Sequence, residues 1–123
     1  LSHGRETKSV SAETTFSQDI DDPAALRDVV ARLSRRVGDR LQRADLQGRT
    51  VSVKLRLSDF TTFSRSRTLP QLVGAPDLIE DAAAQILGLA LAHDVPKGAR
   101  LRLIGVEVSN FAAQLQLALP EPS

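Results

Sequence analysis

The residues of this sequence whose types and spacing could do chemistry are arginines and lysines that alternate with serines and threonines. Between residues 49 and 69, five cations (Arg49, Lys54, Arg56, Arg65 and Arg67) stand against a single acid, Asp59. The formal net charge of the whole chain is only +1, so positive charge is concentrated in this stretch. Guanidinium groups and small hydroxyls are side chains with which proteins contact phosphates. The pattern therefore predicts an anionic partner that is met on one side of the protein.

No set of residues in the sequence predicts catalysis. There is no cysteine, and the two histidines, His3 and His93, are not placed to act as bases. Asp19, Asp21 and Asp22 form an acidic group, but a helix N-cap explains them better than a metal site, because no second carboxylate cluster is paired with them. The spacings HExxH, Walker A, GxSxG and CxxC are also missing from the sequence. We therefore predict no catalytic residue, no metal ligand and no cofactor for this chain.

Hydrophobic periodicity predicts the elements that position the basic side chains. The predicted elements are a strand over 8–16, a helix over 23–44, a strand over 49–60, a strand that follows to about residue 70, a helix over 75–93 and a strand over 100–111. Pro23 suits the first turn of the first helix, and Pro96 with Gly98 ends the second. The order βαββαβ predicts an α+β fold, a split βαβ sandwich with a four-stranded antiparallel sheet and both helices on one face.

Each predicted strand has one apolar side, which leaves the other face of the sheet open. Strict alternation assigns to this open face Ser9, Ser11, Glu13, Thr15, Lys54, Arg56, Arg65 and Arg67. Ser64, Ser66 and Thr68 would then lie against the helices. Phe63 has the same parity as the two arginines, so this assignment also requires a bulge or a turn near residues 61–64. We interpret the open face as a surface for phosphates; the alternative for Arg65 and Arg67 is solvated charge that protects an edge strand.

Two further patterns limit the function. Arginines also occur on the predicted solvent face of the first helix, at positions 27, 32, 35, 36, 40 and 43, where solvated charge is the simpler interpretation. An RNA-recognition module has the same element order, but it stacks bases on aromatic residues of its central strands. With four Phe and no Tyr or Trp in this chain, contacts to backbone phosphates fit better than stacking on those strands.

Two segments carry a resemblance to a known family. KLRLSDFTTFSRSRTL (54–69, preceded by VSV) and RLRLIGVEVSNF (100–111) closely resemble the little finger domain of Y-family DNA polymerases, of the bacterial DNA polymerase IV (DinB) type. GRETKSVSAETTFSQDI (4–20) is similar to the first strand of that domain and the linker before it. The resemblance covers about residues 4–111. It implies a linker over 1–7, the little finger domain over 8–111 and a C-terminal tail over 112–123.

The resemblance implies a function and a set of contact residues. Such enzymes are cytoplasmic DNA-directed DNA polymerases that copy damaged DNA with low fidelity, and their palm domain, outside this chain, holds the Mg ions. The little finger is a non-catalytic DNA-binding domain, here expected to be monomeric, that grips the template–primer duplex through its major groove. The contact residues implied are Lys8, Ser9, Val10, Ser11, Arg65, Ser66, Arg67 and Thr68, and the alternation adds Lys54 and Arg56. The sequence starts at Leu1 and has no Met, which we interpret as a segment of a longer protein.

The C-terminal tail suggests a second partner. Polymerases of this type often end in a peptide that binds the sliding clamp, and QLQLAL (114–119) fits a Gln-x-x-Leu-x-Leu version of it. Gln114 would be the polar anchor, and Leu115, Leu117 and Leu119 would fill an apolar pocket. The alternatives are an apolar extension of the last strand and a disordered end. For the whole chain, the alternative function is a stand-alone ferredoxin-like regulatory or protein-interaction module. No apolar run reaches the roughly 18 residues of a membrane span, so no membrane partner is expected.

Overall fold

The structure, a computed structural model, describes residues 8–111. In chain order its elements are β1 (Ser9–Ile20), α1 (Pro23–Ala44), β2 (Gly48–Leu57), β3 (Thr62–Val73), α2 (Pro76–His93) and β4 (Leu101–Phe111). The strands form one four-stranded antiparallel sheet in the order β1-β4-β2-β3, and the two helices pack against each other and against one face of it. The predicted fold class, element order and one-sided helix layer are therefore confirmed.

Helix α1 begins and ends where the sequence predicts. The Asp22 side chain accepts a hydrogen bond from the backbone N–H of Ala24 at 3.2 Å, and Pro23 occupies the first turn, where its missing N–H costs nothing. The helix ends at Asp45, which adopts the left-handed conformation with φ 58° and donates its N–H to carbonyls of the last turn. Its buried stripe includes Leu33 and Val37, and its arginines lie outside. The N-cap interpretation of the acidic group is confirmed for Asp22.

Helix α2 corrects part of the predicted core. Helical spacing in the sequence predicts a buried face made of Leu78, Ile79, Ala82, Ile86, Leu87 and Leu89, but Leu78 and Leu89 are 43% and 58% exposed. The helix instead turns a face that includes Ala83, Ile86 and Leu87 toward the sheet and α1. Because α2 has apolar residues on nearly every side, its periodicity alone cannot select the buried face. Neither helix of the described residues is long and apolar enough to cross a membrane.

The sheet places β2 and β4 in its centre and β1 and β3 at its edges. On the helix side, Val53 of β2 lies opposite Val106 of β4, and both are buried at 1% exposure, as expected from alternation. Strand β3 begins at Thr62, after a turn over residues 58–61, and pairs only with β2. It contains Pro70, which lacks an N–H to offer an incoming strand.

Candidate nucleic-acid interface

The register between β2 and β3 decides which face of the sheet carries the two arginines of β3. Arg65 lies opposite Val53, and Arg67 lies opposite Val51. Residues directly opposite each other on neighbouring strands point to the same face, and both valines are buried in the core. Arg65 and Arg67 therefore lie on the helix side of the sheet. The assignment of both arginines to the open face, made by strict alternation, was wrong.

At the edge of the sheet the two arginine side chains contact α2 and the residue after it instead of entering the core. Arg65 Nε donates to Asp94 Oδ2 at 3.1 Å, and Arg67 Nη1 donates to Gln85 Oε1. The Arg65 guanidinium also lies 4.8 Å from the centroid of the Phe63 ring. Because β3 is an edge strand, long side chains on its inner side can leave the interior and keep their charge near water. Arg65, Arg67 and Phe63 thus line the seam between β3 and α2.

The sequence did contain a signal for this arrangement. Phe63 and Leu69 have the same parity as Arg65 and Arg67, and both pack against the core. The pairing with β2 runs without interruption from Thr62 to Thr68, so Phe63 is half-buried without the bulge that we predicted near residues 61–64. Phe63 and Leu69 decide which side of β3 faces the helices, although two arginines lie between them, because burial of a phenylalanine or leucine side chain stabilises the fold by about 1.5–3 kcal/mol.

The surface that we call the open face is the side of the sheet away from the helices. Cross-strand pairing assigns to it Ser9, Ser11, Glu13 and Thr15 of β1, Ser109, Glu107, Gly105 and the buried Leu103 of β4, Thr50, Ser52, Lys54 and Arg56 of β2, and Thr62, Ser64, Ser66 and Thr68 of β3. Hydroxyls therefore dominate the face. Ser64, Ser66 and Thr68, which we had expected against the helices, belong to it because the arginines do not.

Direct hydrogen bonds join β2 and β3 along the open face. The Thr50 and Thr68 hydroxyls are 3.1 Å apart, and the Ser52 and Ser66 hydroxyls are 2.7 Å apart. At the far end of the strands, Arg56 Nε donates to Thr62 Oγ1 at 2.9 Å. Each pair joins two polar side chains across neighbouring strands. Short hydroxyl side chains of this kind let a polyanion approach the sheet closely.

An ion pair crosses the middle of the open face. Lys54 Nζ lies 3.3 Å from Glu13 Oε1, and the pair spans β4 at Gly105. A Cβ atom at Gly105 would lie 3.2 Å from Glu13 Cβ, which is tighter than most such contacts, and 3.6 Å from Lys54 Cβ, which is an ordinary van der Waals distance. The missing side chain therefore leaves room for Lys54 and Glu13 to meet.

The open face is electrostatically balanced. Lys54 and Arg56 are matched by Glu13 and Glu107, so its formal net charge is zero. Glu107 was not among the residues predicted for this face, although its alternation with Val106 and Val108 indicates that it belongs there. A balanced face predicts weak electrostatic attraction of a phosphate backbone by the isolated domain.

The other predicted contact residues are distributed as follows. Lys8 is exposed immediately before β1, and Ser9 and Ser11 lie on the open face. Val10 lies opposite Val108 on the helix side, where it is half-buried, so its side chain does not face the open side. Gln114, Leu115, Leu117 and Leu119 lie outside the described residues. Over residues 8–111, no group of three or more potential ligands is close enough to hold a metal ion.

Comparisons of sequence place the chain in a family. The model of the impB/mucB/samB family C-terminal domain matches residues 7–119. The DNA polymerase IV of Methanoculleus marisnigri is 43% identical over 107 residues, which are 86% of this chain and 28% of that protein. The DNA polymerase IV of Streptomyces coelicolor is 40% identical over 112 residues, 91% of this chain and 22% of that protein. The chain thus spans less than a third of these curated relatives.

Comparisons of structure identify the same fold. A little finger domain of PolIV, solved in complex with the beta-clamp processivity factor, superimposes with a TM-score of 0.70 at 22% identity, over 83% of this chain and 87% of that one. The polymerase of a Dbh ternary complex gives a TM-score of 0.70 at 16% identity, over 84% of this chain and 29% of that one. At such identities the likeness shows a shared fold, which covers nearly all of the first structure and a minor part of the second.

Proposed function

The chain belongs to the impB/mucB/samB family C-terminal domain, and we propose from this premise that it is the DNA-binding little finger domain of a translesion DNA polymerase of the DNA polymerase IV type. The parent enzyme would carry the polymerase activity and its Mg ions on other domains and act in the cytoplasm. The domain itself, as a monomer, would hold the template–primer duplex. The family match does not favour the alternative of a stand-alone regulatory module.

The observation that carries this proposal is the open face itself. Hydroxyl side chains dominate it, cross-strand hydrogen bonds join two pairs of them, and Lys54 and Arg56 lie among them. Phosphate contacts in protein–DNA complexes come from such hydroxyls, cations and backbone N–H groups, and they position the duplex without reading its sequence. A polymerase that copies any template needs that kind of contact.

Binding of phosphate to Lys54 would replace an existing partner. The Lys54 ammonium donates to Glu13 in the free protein, and both side chains are substantially exposed, so exchange of the carboxylate for a phosphate oxygen needs no change in the fold. Arg56 can contact phosphate while its Nε stays bonded to Thr62, because a guanidinium has five donors. Arg65 and Arg67 would reach a phosphate only past the outer edge of β3, and Lys8 from the start of β1.

Salt dependence of duplex binding tests the proposal. The chain should bind unrelated duplexes of equal length with similar affinity, and the logarithm of the binding constant should fall linearly with the logarithm of salt concentration. Each phosphate contact adds about −0.9 to the slope, so a face with two or three cationic contacts predicts a slope of about −2 to −3. Fluorescence anisotropy between low and physiological salt measures it. No binding at low salt would refute the proposal.

Replacement of Glu13 by glutamine is expected to tighten duplex binding. Glu13→Gln removes one of two carboxylates from the open face and frees Lys54 from its ion pair, while the shape of the side chain is kept. An exposed ion pair of this kind contributes about 0.2–1 kcal/mol, so affinity should rise by about 1.4- to 5-fold at low salt. The gain should shrink as salt is added. Glu80→Gln on α2 is the matched control, and an equal gain there would attribute the effect to net charge alone.

We further propose that the tail binds the sliding clamp. The likeness to a little finger domain solved in complex with a clamp supports this partner, and the QLQLAL segment (114–119) supplies the peptide. Replacement of Gln114 and Leu117 by alanine is expected to weaken clamp binding about tenfold or more, since both anchors of a short peptide are lost. Surface plasmon resonance on immobilised clamp measures the loss. Duplex affinity should not change, and clamp affinity equal to that of the unaltered chain would remove the tail from the interface.

A further inference from the structure

Phe60 is an exposed aromatic residue at the tip of the β2–β3 hairpin. Its side chain is 65% exposed, whereas Phe111 is buried and Phe16 and Phe63 are partly buried against the core. The residues around it in the turn are polar: Ser58, Asp59 and Thr61. A large ring that is mostly exposed and surrounded by polar residues contributes little apolar burial to the folding of the domain.

The backbone at Phe60 is also unusual for its residue type. Its φ is 71°, and the other non-glycine residues with positive φ among residues 8–111 are Asp45 and Asn110, whose side chains tolerate this conformation. Phe60 N–H donates to the Leu57 carbonyl, and Leu57 N–H donates to the Thr61 carbonyl, each at 2.9 Å. These bonds define a three-residue hairpin turn whose third position normally holds glycine. A phenylalanine there weakens the turn, and strain of this kind is concentrated at functional sites.

Arg102 covers one side of the Phe60 ring. Strand β4 has an extra residue at this point: Leu103 lies opposite Arg56 and Leu101 opposite Leu57, so Arg102 occupies a β-bulge. Its guanidinium carbon lies 4.5 Å from the centroid of the Phe60 ring. Arg102 Nε is buried and has no hydrogen-bond partner among the described residues. The bulge thus aims a cation at one side of the ring and leaves much of the ring open to solvent.

Hydrogen bonds fix the backbone of the turn that carries the Phe60 ring. Asp59 Oδ1 accepts the Thr61 N–H at 2.9 Å, and Ser58 N–H donates to the Arg100 carbonyl at 2.9 Å, which ties the turn to the start of β4. The hydrogen bond from the Thr61 backbone also lowers the pKa of Asp59 below its usual value. The backbone that carries the ring is therefore tied by hydrogen bonds to the ends of β2 and β4.

We propose that Phe60 and Arg102 form a stacking platform for an unpaired base of the template strand. The platform adjoins the Arg56–Thr62 end of the open face, so a strand whose phosphates follow that face would bring its next bases to the ring. Every base has a π-face that stacks on an aromatic ring, and a nearby guanidinium adds a cation–π contribution. A protein partner would instead need an apolar surround for the ring, and the turn offers hydroxyls and a carboxylate. The inference rests on the proposed binding of template–primer DNA.

Paired DNA substrates test the platform. A duplex with a 5′ template overhang, with 2-aminopurine at the first unpaired position, is compared with a blunt duplex of the same paired sequence by anisotropy and 2-aminopurine fluorescence. The chain is expected to bind the overhang substrate about tenfold more tightly and to change the fluorescence of the unpaired base, in keeping with stacking of one base. Phe60→Gly should abolish both differences while leaving blunt-duplex affinity unchanged.

Two controls separate stacking from folding. Phe60→Gly should raise the urea midpoint of unfolding, since glycine relieves the left-handed backbone, so lost overhang binding could not be ascribed to misfolding. Phe60→Trp should retain the preference for the overhang, and Leu89→Ala, which removes another exposed apolar side chain, should not affect it. Equal affinity of the unaltered chain for both DNAs, or an undiminished preference in Phe60→Gly, overturns this inference alone. Absence of binding to either DNA overturns the proposed function and this inference with it.

Discussion

Simultaneous replacement of Lys54 and Arg56 by alanine is expected to lower the affinity of the chain for duplex DNA by about 100-fold or more at low salt. Both side chains belong to the open face, on the central strand β2. A hydrogen bond to a charged group contributes about 1.5–3 kcal/mol, and two such contacts would be lost together. The slope of log affinity against log salt should fall in magnitude by about 2, because each lost contact accounts for about 0.9.

A matched variant tests whether position or charge causes the loss. Arg35→Ala with Arg36→Ala removes the same formal charge from the exposed side of α1, on the other side of the domain from the open face. This variant should bind duplex nearly as well as the unaltered chain. Similar losses in both double variants would contradict the assignment of the interface to the open face. Thermal unfolding of both variants verifies that the fold is retained.

Arg65 and Arg67 offer the sharpest contrast with the open-face cations. They lie on the helix side, where Asp94 and Gln85 already hold their guanidinium groups. We expect Arg65→Ala with Arg67→Ala to weaken duplex binding to a smaller extent than Lys54→Ala with Arg56→Ala. The loss should be equal for unrelated sequences, because contacts to backbone phosphates do not read the bases. A larger loss would show that the duplex lies against the seam between β3 and α2.

Replacement of Gly48 by alanine is expected to destabilise the domain by about 2–3 kcal/mol. A Cβ atom there would overlap the backbone oxygen of Ser109 and lie 2.8 Å from Val108 Cγ1. Backbone in the centre of a sheet cannot move aside as the end of a flexible side chain can. Gly48 pairs with both Phe111 and Val73, so any shift disturbs the register on both sides. Since small domains are stable by only about 5–15 kcal/mol, urea unfolding would show this change clearly.

Gly88→Ala is the matched control for this substitution. Gly88 lies on the exposed side of α2, and a Cβ atom there would meet nothing within 4 Å. Alanine is favoured over glycine inside a helix, so this variant should be more stable than the unaltered chain by about 0.5–1 kcal/mol. Destabilisation by both substitutions, to a similar extent, would contradict a steric cause at Gly48.

Much of the fold could be predicted because it depends on local rules. The Asp22 N-cap and Pro23 fix the start of α1, and alternation of apolar residues fixes the inner side of β2. The order of the strands in the sheet and the residue at which β3 ends could not be predicted, because both depend on which strands pair. The exposure of Leu78 and Leu89 had the same cause: an apolar helix finds its buried face only when its neighbours are in place.

By itself the sequence determined the element order, the caps, the concentration of cations in residues 49–69 and the resemblance to a polymerase domain. It also determined that Arg65 and Arg67 share a side with Phe63, since side chains of a strand alternate with a period of two. Which side that is was decided only by the tertiary structure, through the pairing of Arg65 with Val53. The stacking of Arg102 on Phe60 likewise exists only because a bulge in β4 meets the β2–β3 turn. Parity is a local property of one strand, whereas the assignment of a face requires contact between residues distant in the chain.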